Sequence, residues 1–224
     1  MHNEINIDAW HDTKKRLVDA GVTLIRARGF NATSLDDICA AAGVTKGGFF
    51  HYFKSKDDLA KAAIARFNQG KIHEYENAPF RKHADPLDRV FGRLDFVKSS
   101  IGAPNKMTKG CLIGMLAQEL SSTNPELRQA CEQTFATIAA DFEKDLAEAK
   151  ATYAPKATFN PKNIAHFYVT MVQGSLLLAK ANQNTAVLSD NISEFRHYLE
   201  TLFGEKRPKI STRASKALRN PVRL

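Results

Sequence analysis

Three cysteines, Cys39, Cys111 and Cys131, are an odd and widely spaced set for a chain of 224 residues. They supply neither a disulfide framework nor a C-x-x-C metal or redox motif, which suits a reducing cytoplasm. No stretch approaches the roughly 18 uninterrupted apolar residues that a membrane helix needs, and the first thirty residues lack a basic-then-apolar signal pattern. The expected protein is soluble and cytoplasmic. Also missing are a glycine-rich phosphate loop, H-E-x-x-H and G-x-S-x-G, and the seven histidines show no ligand spacing with cysteines or carboxylates. An enzyme reading has nothing to rest on, and no metal or cofactor is expected. Strand-like alternation, internal repeats and low-complexity tracts are absent before residue 206, so the expected fold class is all-α.

An apolar content of 43% with 9% aromatics is ample for a buried core. The net charge of +8 is concentrated at one end: Lys206, Arg207, Lys209, Arg213, Lys216, Arg219 and Arg223 fall within the last nineteen residues without an acid, leaving +1 for the rest. Residues 206–224 read as a basic, disordered tail that could touch nucleic-acid phosphates. Residues 1–11 read as a frayed arm or the first turn of the first helix; with Glu4 and Asp8 and no Lys or Arg, they are unsuited to entering a minor groove.

The most informative stretch is Thr33 to Phe53, TSLDDICAAAGVTKGGFFHYF. Ser34, three residues before Asp37, can cap a helix whose apolar face is Leu35, Ile38 and Ala42; Gly43 stops it. Thr45 then caps a second short helix through Phe49, Phe50 and Phe53, three aromatics expected in the core. Two short helices around a glycine-containing turn are the sequence form of a helix-turn-helix. An ordinary helical hairpin has the same coarse pattern, so the flanks matter. Ahead lies a helix from about Asp12 to Arg28, with Leu17, Ala20, Leu24 and Ala27 on one face, closed by Gly29. Behind, Ser55-Lys56-Asp57-Asp58 opens a longer helix.

The order ARGFNATSLDDICAAAGVTKGGFFHYFKSKDDL resembles the N-terminal domain of the TetR family of transcriptional regulators over roughly residues 13 to 60. The resemblance implies a helix-turn-helix DNA-binding domain, residues 1–54, followed by a helical ligand-binding and dimerisation domain, residues 55–205. One departure is visible: where the family usually has a tyrosine before the histidine, this chain has Phe50, so a phosphate-contacting hydroxyl is absent there. In helix-turn-helix docking the start of the second helix meets base edges, which assigns Thr45, Lys46 and Gly48, with His51 and Tyr52 placed for backbone or base contact. Ser34 and Lys56, at helix N-termini, are assigned to phosphates.

Further along, Asp85-Pro86, Asn124-Pro125 and Asn160-Pro161 each combine an N-cap with a proline at the first helical position. They open helices carrying Phe91, then Cys131, Phe135 and Phe142, then Phe167, Tyr168 and Met171. A short, largely buried helix from Gly110 to Leu120 carries Cys111, Met115 and Gln118. The helix from about 161 to 183 is apolar nearly all round, which calls for cover on two sides and hence a partner chain. The resemblance implies the same: TetR-type proteins usually dimerise through their last two long helices. The last helix is expected over about Ser189 to Phe203. An apolar effector cavity is expected from Phe91, Met115, Phe135, Phe142, Phe167 and Met171, with Gln118 or Tyr168 as polar contacts.

Cys111, at a predicted helix N-terminus with Lys106 and Lys109 before it, has surroundings that would stabilise a thiolate. Its apolar neighbours Leu112, Met115 and Leu116 equally fit a packed thiol. The segment KGCLIGMLAQELS, with LLLAKANQN around Lys180, is similar to a TetR subgroup that includes regulators responding to reactive electrophiles. Two functions stay open at this point. One is a ligand-responsive repressor that binds a palindromic operator on double-stranded DNA as a homodimer and is released by a small apolar or electrophilic effector. The other is a helical ligand-binding or protein-interaction module that no longer reads DNA.

Overall fold

Why the chain breaks into helices where it does is visible at their caps. The computed structural model describes residues 10–101 and 110–204, and among them every regular element is helical. In order these are α1 (Asp12–Arg28), α2 (Leu35–Ala42), α3 (Lys46–Tyr52), α4 (Lys56–Glu76), a 3-10 turn at Pro79–Lys82, α5 (Pro86–Ser100), α6 (Leu112–Leu120), α7 (Pro125–Tyr153), α8 (Pro161–Asn182) and α9 (Ala186–Phe203). Ser34 and Asp37 form a complete capping box at α2, and Thr45 and Ser55 each accept a backbone N–H three residues on. Asp85, Asn124 and Asn160 cap α5, α7 and α8 ahead of a proline. The expected boundaries hold to within a few residues, α9 starting earlier than expected.

Two apolar clusters organise the packing. The first gathers α1, α2, α3 and the front of α4 with Leu112, Ile113, Leu116 and Leu120 of α6 and Leu127 and Cys131 of α7. The second joins α5 to the rest of α7, α8 and α9 around Phe91, Leu94, Phe142, Tyr168 and Phe195. Each fully buried leucine or phenylalanine contributes about 1.5–3 kcal/mol. The helix-turn-helix is therefore cemented to α6 and the start of α7 by shared core.

Three core expectations are corrected. The buried stripe of α1 is Leu17, Val18, Gly21 and Ile25, with Gly21 lying against Leu59 of α4, while Ala27 is exposed. Trp10 is buried and carries Lys14 over its ring at 4.4 Å, so the chain is anchored before α1 begins. Phe50 is exposed, while Phe49 and the C-cap residue Phe53 on either side of it face inward. The expectations for most of the N-terminal arm, for the loop with Lys106 and Lys109, and for the tail 206–224 lie outside the described residues.

A charged network ties α5 to α7. Arg93 is fully buried; its guanidinium meets Asp141 at 2.5 Å and lies 5.0–5.2 Å from the rings of Tyr75, Phe80 and Phe142. Arg81 and Arg89 complete it, Arg81 to Asp141 and Asp145, Arg89 to Asp145 at 2.8 Å and to Glu148. Burial would lower the Arg93 pKa, but the attraction and hydrogen bond of Asp141, together with Tyr168 and Tyr75, raise it on balance. Burial likewise would raise the Asp141 carboxyl, yet Arg93 and Arg81 hold it below the usual carboxylate range.

Candidate nucleic-acid interface and effector domain

The reading unit starts from its caps. Asp37 Oδ2 accepts the backbone N–H of Ser34 at 3.0 Å and pairs with Arg28 at 2.6 Å; hydrogen bonds from Ser34 and then Arg28 bring its pKa to about 2. Gly43 ends α2 in the left-handed conformation. Thr45 Oγ1 accepts the Gly48 N–H at 3.1 Å, which occupies its side chain at the start of α3. A Cβ at Gly48 would meet Val44 Cγ1 at 2.7 Å, so this position closes the turn.

Thr45, Lys46, Gly47, Phe50 and His51 share the exposed face of α3, with Tyr52 half-buried at its edge. The Tyr52 ring stacks on His11 at 6.0 Å and meets His51 edge-on at 4.7 Å. Lys46 is paired across the turn with Asp36 at 2.9 Å, and that hydrogen bond is the main reason its pKa rises. Ser34 lies exposed at the head of α2.

Lys56 is placed differently from the sequence expectation. Its Nζ donates to the backbone carbonyls of Phe30 and Thr33, both at 2.9 Å, and sits 4.2 Å over the Phe30 ring. The ammonium is turned into the α1–α2 joint instead of toward a phosphate, adding a donor to the Thr33 carbonyl and a second one, beside the Thr33 N–H, to that of Phe30.

Sequence reasoning missed Glu119, which holds the same joint from α6. Its Oε1 accepts the Phe30 N–H at 2.9 Å and its Oε2 the Asn31 N–H at 2.8 Å. Gly29, at φ 100°, passes so close that a Cβ there would lie 2.6 Å from Glu119 Oε1. The only hint in the sequence is the exposed-looking acid on a short apolar helix, which does not reveal a partner this remote.

The residues expected around an effector do not all converge. Phe91, Phe142 and Tyr168 are buried together in the second cluster, with the Phe142 and Tyr168 rings 4.8 Å apart and Met171 packed beside them. Phe135 packs against the first cluster. Met115 is half-buried near the α1 end, where its Sδ accepts from Lys180 at 3.3 Å. Two expectations are corrected: Gln118 is exposed and folds back onto the Gly114 carbonyl, and Phe167 is 49% exposed. Both sit on the outer faces of their helices.

Cys111 is the N-cap residue of α6, half-buried, and packs against both clusters. Arg26 lies beside it: its Nε donates to the Gly110 carbonyl at 3.1 Å, and its pKa falls through burial, opposed by the Cys111 charge. Lys180 points inward, donating to the Arg26 carbonyl at 3.2 Å. Burial pushes the Cys131 thiol up to about 11, helped by Cys111, and raises Cys39.

With this geometry in view, the comparisons are decisive. Residues 17–63 match the family described as bacterial regulatory proteins, tetR family, and residues 93–194 the LmrA/YxaF-like transcriptional regulator C-terminal domain. A curated HTH-type transcriptional regulator from the lacX 3' region of Lactococcus lactis is 32% identical over 87% of this chain and 96% of its own length. The chain belongs to the TetR family of transcriptional regulators. The HTH-type transcriptional repressor DhaR of Mycobacterium sp. (strain GP1) is 25% identical over 76% of this chain and 84% of its own. A solved structure of regulatory protein TetR from Rhodobacter sphaeroides superposes with a TM-score of 0.73 over 86% of this chain and 99% of that one, at 24% identity, and shows the same fold. The protein is thus a DNA-binding regulator with a ligand-binding domain and not an enzyme. TetR-family members bind DNA and small effectors as dimers. Among the described residues no helix is long and apolar enough to cross a membrane.

Proposed function

We propose that this TetR-family chain is a homodimeric repressor that reads a palindromic operator through α3 and is released by a small apolar or electrophilic effector. The observation that carries it is the capped α2–α3 unit, which presents Thr45, Lys46 and His51 on one exposed face above a rigid apolar base. Dimerisation through α8 and α9 is supported by Phe167, Leu177 and Leu178, 49%, 55% and 47% exposed, with Tyr198 of α9 ringed against Phe167 at 5.8 Å. An apolar patch of this kind on a soluble surface marks an association site. A two-fold dimer then demands half-sites about 34–36 Å apart, or a multiple of that, centre to centre.

Release follows from linkage: an effector that binds better to the conformation with misplaced reading heads weakens DNA binding by the same factor. The route for that coupling is α6, which meets the α1 end at Gly110 and the α1–α2 joint at Glu119. Its proposed trigger is either a ligand in the second cluster or reaction at Cys111. The test is selection of duplexes from a random pool by the full-length protein, followed by footprinting. A palindromic footprint is expected; failure to retain any duplex would favour a module that does not read DNA, and a single half-site would overturn the two-fold arrangement.

A further inference from the structure

Phe50 shows 54% of its surface to solvent, the largest apolar exposure on a face otherwise made of Thr45, Lys46, Gly47 and His51. It stands one helical turn beyond Lys46, so the two side chains project from the same side of α3. Its ring meets the fully buried Phe49 edge-on at 5.4 Å, which gives it a fixed support. Phe49 and Phe53, 5.5 Å apart, already fill the core beneath, and among the described residues Phe50 stays 54% exposed.

A phenyl ring in this place has no hydroxyl with which to hold a phosphate oxygen. It can offer only apolar contact. Lys46, paired with Asp36, and Lys54 lie exposed on either side of it in the sequence, with the polar ring of His51 next to it, which favours a polyanion over an apolar protein partner. In the major groove the apolar feature available to such a ring is the C5 methyl group of thymine. The glycine at position 47 leaves nothing larger than a hydrogen between the lysine and the ring, so the helix can approach the base edges closely.

We propose that Phe50 is a specificity-determining residue that selects a thymine in each half-site through its C5 methyl group, where a tyrosine would instead anchor the backbone. This rests on the DNA-reading function proposed above. Lys46 and Phe50 would then read neighbouring bases, one by charge-assisted hydrogen bonding and the other by burial of a methyl group.

The experiment uses duplexes enriched from a random pool by the full-length wild-type protein. Each thymine is replaced singly by deoxyuridine, which removes only the methyl group. Wild type should lose about fourfold in affinity at one thymine per half-site, the equivalent of one buried methyl-sized group. Phe50→Ser should bind the methylated and unmethylated duplexes equally, and Phe50→Leu should retain part of the preference. Because the side chain is exposed, both variants should keep wild-type thermal stability. If deoxyuridine is felt equally by wild type and Phe50→Ser, or if Phe50→Ser weakens binding to all sequences alike, the assignment is wrong and the ring covers sugar or backbone. If no duplex is enriched, the DNA-reading function itself fails and this contact with it.

Discussion

Glu119 grips Phe30 from α6: its carboxylate accepts the backbone N–H of the residue that leads into the helix-turn-helix. The second oxygen holds Asn31, so one side chain fixes two consecutive peptides. Glu119→Ala should lower unfolding stability by about 1.5–3 kcal/mol, the range for hydrogen bonds to a charged group. Gly29→Ala should also destabilise, through a left-handed φ and collision with the same carboxylate. Urea unfolding of the double variant should show less than the sum of the two losses. Strict additivity would mean the two positions are not in contact in solution.

Lys56 serves the same joint from α4. Lys56→Ala should cost about 1–3 kcal/mol of stability by removing the lysine donor from the Thr33 carbonyl and leaving the Phe30 carbonyl with the Thr33 N–H alone. It should leave the slope of log affinity against log salt unchanged. A fall of about 0.9 in that slope would restore the phosphate contact expected from the sequence.

Lys46 is held by Asp36, but an exposed pair of this sort contributes only about 0–1 kcal/mol, so DNA can recruit the lysine at little cost. Lys46→Ala should relax base preference at one operator position and weaken specific binding by about 1–3 kcal/mol. Asp36→Asn should tighten binding to every duplex, most at low salt, by removing a negative charge from the approach to the groove. Gel shifts on matched and mismatched duplexes separate these effects; equal losses for Lys46→Ala on all sequences would show that it specifies no base.

Acid should attack the α5–α7 network. The Asp141 carboxyl has a folded pKa below its unfolded value, so its stabilising contribution is complete above the unfolded pKa of about 3.9 and is lost as pH falls through the lower folded value. Asp141→Asn should therefore flatten the stability–pH curve below about pH 4. Arg93→Met should cost about 3–5 kcal/mol at neutral pH, because Asp141 and the buried Asp145 lose a partner. Chemical denaturation from pH 2 to 7 checks both; an unchanged curve for Asp141→Asn would place its titration elsewhere.

Among the thiols, Cys111 is half-buried beside Arg26, whereas Cys39 and Cys131 are buried with raised pKa values. A small alkylating agent at neutral pH should label Cys111 first, as followed by mass spectrometry of intact peptides. Cys111→Ser should keep operator binding and lose electrophile-induced release. If Cys111 labels no faster than the others, or the serine variant still lets go of DNA, the effector is a reversible ligand and the thiol is packing.

The sequence by itself determined where helices begin and end and which family they form. Ser34 with Asp37, Thr45 with Gly48, and the Asp-Pro and Asn-Pro starts of α5, α7 and α8 act over two or three residues, so their chemistry is written locally. Periodicity also identified α8 as a helix with apolar residues on more than one face. What it could not assign was direction at long range. Lys56 turns to carbonyls 23 and 26 residues away, and Glu119 to amides 88 and 89 residues away, because backbone groups at the α1–α2 joint lie outside any helix ladder and take partners that only the packed chain brings near. Phe50 faces out while Phe49 and Phe53 face in, since seven residues of helix can seat only one side in the core. Gln118 and Phe167, expected at a cavity, lie outside because α6 and α8 turn other residues toward their neighbours. Cap chemistry is a property of neighbours in sequence; which of two faces is buried is decided by the neighbours in space.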